Sequence, residues 1–452
     1  MLKVFSNITY VTKSLASRRQ EAGAASKTPP EGEETTMMRP SRRKILAATA
    51  GAAALGSFAK PFIRPALANT PVRVAVLADM NGPYATLSGI SAVSAAKLAV
   101  EDFKAMNPTL PAEVVYADFQ LKPDVGLAIS RKWFDTEGVD AVADIPMSAL
   151  ALGLTTMVKE KNKVGLFSGT ATEDLTSKYC GPNHVHWTYD SYAMATTVAE
   201  ALLRRKLDTW FFIAADYAMG ASVVRDATGI ITAAGGKVLG SVRHPFPSTG
   251  DFSSLLLQAQ GSGAKVICFA NAGDDLATCI KQAAEFRVTS GGAVLTAMLM
   301  DVPTVHAIGL KDSQGMFYSN AFYWAMNDGA RKFTERMLPL TNGIRPCQNV
   351  AGTYSATLHY LKAAAAVGQE TAKTNGAAVV AKMKEMQVTD PLYGPAVIRA
   401  NGRLMNKMYL FQVKQPGQST GEWDYVQAVE TVEPEKAFRP MTQASCAMAA
   451  AQ

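Results

Sequence analysis

Val72-Arg73-Val74-Ala75-Val76-Leu77 is a run of strand length, and Ser88 to Phe103 then places Val93, Ala96, Leu98, Ala99 and Phe103 at mixed three- and four-residue steps. The first pattern predicts a buried strand and the second an amphipathic helix. Between them lies Asp79-Met80-Asn81-Gly82-Pro83-Tyr84, a turn-forming stretch. The same unit recurs along the chain. Strands are predicted at 114–117, 141–145, 164–168, 210–215, 238–242, 265–270 and 293–299. Helical patterns near 124–136, 149–160, 191–205, 219–234, 252–260 and 275–286 separate most of them. Alternating β and α units make parallel sheets covered by helices on both faces. So many strands exceed one comfortable sheet, so the expected fold is α/β with two doubly wound parallel-sheet lobes.

The alternation stops after Asn327, where helices are predicted at 328–338, 351–367 and 376–386. A β-rich tail follows, 396–399 and 408–411, with Asn401-Gly402 read as the hairpin turn between them. Phe322-Tyr323-Trp324 is read either as a hinge strand or as an aromatic wall for a flat ligand.

Of 452 residues, 48% are hydrophobic and 18% charged, which is the balance of a globular protein. Mean hydropathy is +0.03, and no stretch has the ~20 apolar residues of a membrane span. The net charge of +7 lies wholly in residues 1–68, which hold eleven basic and four acidic residues against 34 of each in the remainder. The body therefore offers no electrostatic case for nucleic-acid binding.

That basic leader has an internal order. Arg42-Arg43 precedes the uncharged run Ile45–Phe58, and Pro65-Ala66-Leu67-Ala68 supplies small residues at Ala66 and Ala68 for a signal peptidase. The arrangement resembles a Tat signal over 37–68, which implies the Tat translocase as a transient partner and a folded passenger in the periplasm. Residues 1–36 precede such a signal and are expected to be untranslated or disordered, with Met37 or Met38 as the start.

No dinucleotide, P-loop, nucleophile-elbow or zinc-protease motif occurs. His184 and His186 form an H-x-H read as edge-strand polar residues, because no third metal ligand is spaced near them. No catalytic residue, cofactor or metal is expected. Five cysteines leave at least one thiol unpaired, and Cys268 reads as a core residue of its strand. Ligands of open α/β sheets bind at the carboxyl ends of strands. There the chain offers Tyr84, the segment Pro146-Met147-Ser148-Ala149, Ser168-Gly169-Thr170, Tyr217, and Asp274-Asp275. Ser148 and Thr170 also suit helix caps, and one of Asp274 and Asp275 is expected to cap the helix that follows.

Val74-Ala75-Val76-Leu77 with Asn81-Gly82-Pro83-Tyr84, then Ala99-Val100-Glu101-Asp102-Phe103, resembles the opening of leucine/isoleucine/valine-type (type I) periplasmic substrate-binding proteins of ABC transporters. Asp251-Phe252-Ser253-Ser254-Leu255-Leu256, Gln282-Ala283-Ala284-Glu285-Phe286 and Tyr354-Ser355-Ala356 add to the resemblance, which covers 71–440. It implies two lobes joined by a three-stranded hinge, closing on a small solute that is delivered to an ABC permease by a monomeric, non-enzymatic carrier. The lobes expected are 69–190 with part of 320–385, and 191–319 with part of 386–440, followed by a tail over 441–452. The resemblance places a ligand carboxylate at Met147, Ser148, Ala149, Ser168, Gly169 and Thr170. Tyr217 and Asp275 face it from the other lobe, the acid pairing with an ammonium. It also implies a Cys180–Cys446 disulfide. The solute class stays broad, covering branched-chain or other amino acids, amides and aromatic acids. A periplasmic enzyme or a ligand-sensing subunit on the same scaffold are the alternatives.

Overall fold

The computed structural model describes residues 70–247 and 250–449, so the leader features at Arg42, Arg43, Ala66 and Ala68 lie outside the described residues. The first sheet is built from β1 (Val72–Ala78), β2 (Ala112–Asp118), β3 (Ala141–Asp144), β4 (Val164–Phe167) and β5 (His184–His186). Its order is β2-β1-β3-β4-β5 and every pairing is parallel. Crossover helices α1 (Gly89–Met106), α2 (Pro123–Asp135) and α3 (Ser148–Glu160) cover its faces. Central β1 is buried along nearly all its length, which is why it reads as a continuous apolar run rather than an alternating one.

The second sheet follows α4 (Ser191–Arg204), whose start is capped by Asp190 accepting from Ala193 N at 2.8 Å. The chain then runs β6 (Thr209–Ala215), α5 (Ala218–Ala233), β7 (Lys237–His244), α6 (Ser253–Gly261), β8 (Val266–Ala270) and α7 (Gly273–Glu285). It continues through β9 (Val294–Leu299), α8 (Val302–Ile308), α9 (Leu310–Ser313) and β10 (Phe317–Asn320). Edge strand β7 alternates between exposed and half-buried positions, whereas internal β8, which contains Cys268, is wholly buried. The sequence rhythm separates edge from centre here.

After β10 the chain returns to the first sheet through α10 (Asp328–Met337), α11 (Gln348–Val367), α12 (Gln369–Thr374) and α13 (Gly376–Glu385). Helix α11 is buried nearly all round and packs along α1, so no polar face marks it in the sequence. Lys373 and Lys163 both reach the buried Asp140 carboxylate, at 2.8 and 3.0 Å, and fix this return segment to the first sheet. Strands β11 (Val397–Ile398) and β12 (Leu404–Met405) form a separate two-stranded sheet. Then β13 (Met408–Val413) joins the second sheet antiparallel to β10, β14 (Val426–Val432) pairs antiparallel with β13 at the edge, and α14 (Pro434–Ala437) follows.

The α/β expectation holds: two helix-covered sheets, each with a parallel core, form two lobes, and the chain passes between them after β5, β10 and β12 and again in the C-terminal tail. Two local expectations fail. Phe322-Tyr323-Trp324 is neither strand nor ligand wall but irregular chain after β10, with Phe322 packed edge-on to Phe333 and Arg345 over the Trp324 ring. The Asn401-Gly402 turn joins β11 to β12 rather than to 408–411. Gly402 (φ +88) packs against the carbonyl of His184, and the Gly402 carbonyl accepts from His186 N at 2.8 Å, so the turn docks on β5.

Candidate functional site

In each sheet the chain reverses its winding direction once, between β1 and β3 in the first and between β6 and β8 in the second. Loops leaving strands on either side of such a point diverge and leave a crevice. The two crevices face each other here. The first loop, after β1, is folded by its own aspartate: Asp79 accepts from Gly82 N and Tyr84 N, both at 2.8 Å. Burial raises the Asp79 pKa and these bonds oppose the rise. The loop delivers the Tyr84 ring inward, 2% exposed.

At the end of β3, Asp144 (φ +74) and Ile145 (φ +55) adopt left-handed backbone and turn the Asp144 carboxylate into the protein, where Ser88 Oγ donates to it. Burial pushes this carboxyl up to about 7. Gly169 lies on top, donating its N–H to Asp144 O at 2.9 Å, and a β-carbon there would stand 2.7 Å from Asp144 Oδ1. Only glycine fits. Helix α3 begins at once, with Met147 at the cap position and Ser148 as the first helical residue, so Ser148 is not the cap. The first-turn N–H groups of α3 receive no side-chain cap, and Ser148 Oγ is buried with no hydrogen-bond partner. Asn349, at the start of α11, is 1% exposed, and its Oδ1 also lacks a partner.

The opposite wall comes from the second lobe. Tyr217 and Met219 follow β6, and Leu299 ends β9. Tyr84 and Tyr217 meet hydroxyl to hydroxyl at 2.6 Å, and Phe246 stacks on both rings, with centroids at 5.1 and 4.7 Å. Burial raises both phenol pKa values, and the nearby Asp275 charge adds to the rise, so the pair stays protonated. At the mouth, Asp274 N donates to Pro83 O at 3.1 Å. The lobes are closed, leaving a space of only about 10 Å³ between them, with no lysine or arginine in its lining.

Tyr84, Ser148, Gly169 and Tyr217 line this space, and Met147, Ala149, Ser168, Thr170 and Asp275 do not. Thr170 Oγ1 donates to Ile145 O at 2.7 Å, in place of a helix cap, and Ser168 Oγ pairs with Thr353 Oγ1 at 2.8 Å. Both side chains fasten the loop rather than face the cavity. Neither aspartate caps α7, whose cap position is Ala272. Asp275 is 4% exposed and lies 3.6 Å from His244 Nδ1. The His184 and His186 rings donate through Nε2 to Leu175 O and Thr170 O, at 2.9 and 2.8 Å. Among the described residues no group of His, Cys, Asp and Glu is arranged to hold a metal ion, and no helix is long and apolar enough to cross a membrane. Cys180 and Cys446 are joined by a disulfide, with Cα atoms 5.7 Å apart, and Cys268, Cys279 and Cys347 are buried thiols.

A wider groove lies beside α5, lined by Glu173, Arg225, Asp226 and Arg439. Its charges are already matched, with Arg439 at 2.9 Å from both Glu173 and Asp226. The interlobe space is lined by Ser148 and Asn349, whose buried Oγ and Oδ1 have no hydrogen-bond or ion-pair match. Leu87, Met219 and Leu299 also line it, and the sequence singled out neither these nor Asn349. Leu299 was within reach of the strand-end rule. Asn349 was not, because it begins a helix from a distant part of the chain.

Residues 71–421 match the family model described as periplasmic binding protein. The chain belongs to the periplasmic binding protein family. A crystal structure of a periplasmic binding protein from Burkholderia mallei is 37% identical, with a TM-score of 0.79 over 84% of this chain and 99% of that one. A branched chain amino acid ABC transporter periplasmic ligand-binding protein from Burkholderia xenovorans LB400 is likewise 37% identical, with a TM-score of 0.74 over 84% and 100%. An ABC transporter solute binding protein from R. palustris in complex with benzoate shares the fold at 18% identity, with a TM-score of 0.70 over 80% and 97%. A search of curated proteins finds no match. Members of the family are solute carriers of ABC transporters rather than enzymes, and the family is periplasmic.

Proposed function

We propose that this periplasmic binding protein captures a small amino acid between its lobes and, as a monomer, presents it to an ABC permease. The observation that carries the reading is the pair of unpartnered buried atoms, Ser148 Oγ and Asn349 Oδ1, facing one interlobe space. Buried polar atoms are nearly always paired, so such a pair marks a place for a polar guest. The uncapped start of α3 beside Ser148 suits a carboxylate, because a helix N-terminus presents free N–H groups and partial positive charge. Asp275 lies near the Tyr84–Tyr217 pair and Asp144 sits beneath Gly169, behind the lining, while no cationic side chain lines the space. A zwitterion keeps its ammonium near those acids, whereas a simple aromatic acid would bring uncompensated negative charge. The branched-chain description of the B. xenovorans relative agrees with this choice.

Calorimetric titration tests it with L-leucine, L-valine and benzoate as probes. The amino acids should bind and benzoate should not. Ser148→Ala should weaken L-leucine by roughly ten- to hundred-fold, the worth of a hydrogen bond to a charged group. Tight benzoate binding that survives Ser148→Ala would reject both the solute class and the placement.

A further inference from the structure

The first turn of α7 meets the Asp79–Ser88 loop of the other lobe backbone to backbone. Gly273 has φ +61, and a β-carbon on it would stand 2.1 Å from Pro83 O and 2.8 Å from the Tyr84 ring. The next residue, Asp274, donates its N–H to the same Pro83 carbonyl at 3.1 Å. A ring can rotate away, but a main-chain carbonyl held in a folded loop cannot. This loop is held: Asp79 accepts from both Gly82 N and Tyr84 N, on either side of Pro83. Lobe contact at this depth therefore depends on the absence of a side chain at position 273.

We propose that Gly273 is the positioning residue that sets how far the cleft closes, and hence the size of solute it can enclose. The proposal rests on the two-lobe capture reading above. Any β-carbon at 273 would hold the mouth open, keep Asp274 N from Pro83 O and separate Tyr84 from Tyr217. The solute would then bind a state closed only in part. Its apparent affinity would fall in proportion to the population lost from the fully closed form.

The full mature chain is tested in two arms. In the first, Pro83→Cys and Asp274→Cys are introduced together. Both changes keep the backbone groups of the contact, and the native thiols Cys268, Cys279 and Cys347 are buried. Oxidative cross-linking of this pair reports mouth closure without any solute. Adding Gly273→Ala should cut the cross-linking rate by roughly ten-fold or more. Gly273→Asn should do the same, since asparagine tolerates left-handed backbone but brings a β-carbon. Gly263→Ala supplies the control: Gly263 has φ +68 in the same lobe, with nothing within 4 Å of its would-be β-carbon. That variant carries the strain without the collision and should cross-link like the parent. Equal cross-linking in Gly273→Ala and its parent overturns the proposal, as does an equal loss in Gly263→Ala. In the second arm, L-leucine is titrated into the same single variants. Weakening confined to the two Gly273 variants supports the proposal. If L-leucine binds none of the proteins while the cross-linking pattern holds, the solute reading fails and the closure stop stands.

Discussion

Asp144 shows how one residue can both shape the site and tax the fold. Its carboxyl is fully buried beneath Gly169, and burial raises its pKa from 3.8 to about 7. Because the folded pKa lies above the unfolded one, its stabilising effect is complete below about pH 4 and is lost as pH rises through about 7. Glu173, pushed to about 7, and Asp301, pushed to about 6, act in the same direction. Asp144→Asn keeps an acceptor for Ser88 Oγ and removes the titration. Thermal melts from pH 4 to pH 8 should show a flatter profile for the variant, with the largest gain over the parent at pH 8. Parallel profiles would show that Asp144 does not titrate in this range. No local pattern marks this residue. Asp144 reads as the polar end of an apolar strand, and only the left-handed turn that follows sends the carboxyl inward rather than to water.

At the scale of elements, the sequence was most informative where local pattern and tertiary role coincide. Strands β1 and β8 are apolar because helices cover both faces, and β7 alternates because it is an edge. The loops carrying Tyr84, Ser148, Gly169 and Tyr217 follow directly from the strand-end rule. The Thr170 and Ser168 side chains do not, because hydroxyls on such a loop serve neighbouring backbone as readily as a ligand, and only packing decides between them. Asn349 and the crossing at Phe322–Trp324 depend on contacts across long sequence separations, which no local window contains. The C-terminal tail is of the same kind. Past α14 it is held by Arg439, which pairs with Glu173 beside the first sheet and Asp226 on α5, and then by Cys446 bonded to Cys180. A cross-link spanning 266 residues stabilises by at most roughly 5 kcal/mol through loop entropy, and by less when the tail is already docked. Cys446→Ser should lower the melting temperature by several degrees. Dithiothreitol should lower it equally in the parent and leave the variant unmoved. An unchanged melting temperature in Cys446→Ser would show that Arg439 and its partners hold the tail without the bond.

Across the whole molecule, charge is partitioned in a way that bears on how the protein reaches its solute. The body balances 34 basic against 34 acidic residues, and the entire +7 belongs to residues 1–68. An excess confined to a segment before the first strand does nothing for a fold whose buried ion pairs, such as Lys373 with Asp140, are internally matched. It suits recognition by export machinery, and Arg42-Arg43 ahead of a short uncharged run suits the Tat route in particular. That route carries folded passengers, which fits a chain whose second sheet is completed only when β13 and β14 arrive from the far end of the sequence. Export should therefore fail when both arginines are replaced, Arg42→Lys with Arg43→Lys, and the full precursor should collect in the cytoplasm. In the parent, N-terminal sequencing of periplasmic material should begin at Asn69, after cleavage behind Ala68. Immunoblots of fractionated cells read both outcomes. Undiminished periplasmic protein from the double-lysine variant would assign export to the Sec pathway, and the chain would then have to fold, and form its Cys180–Cys446 bond, only after crossing the membrane.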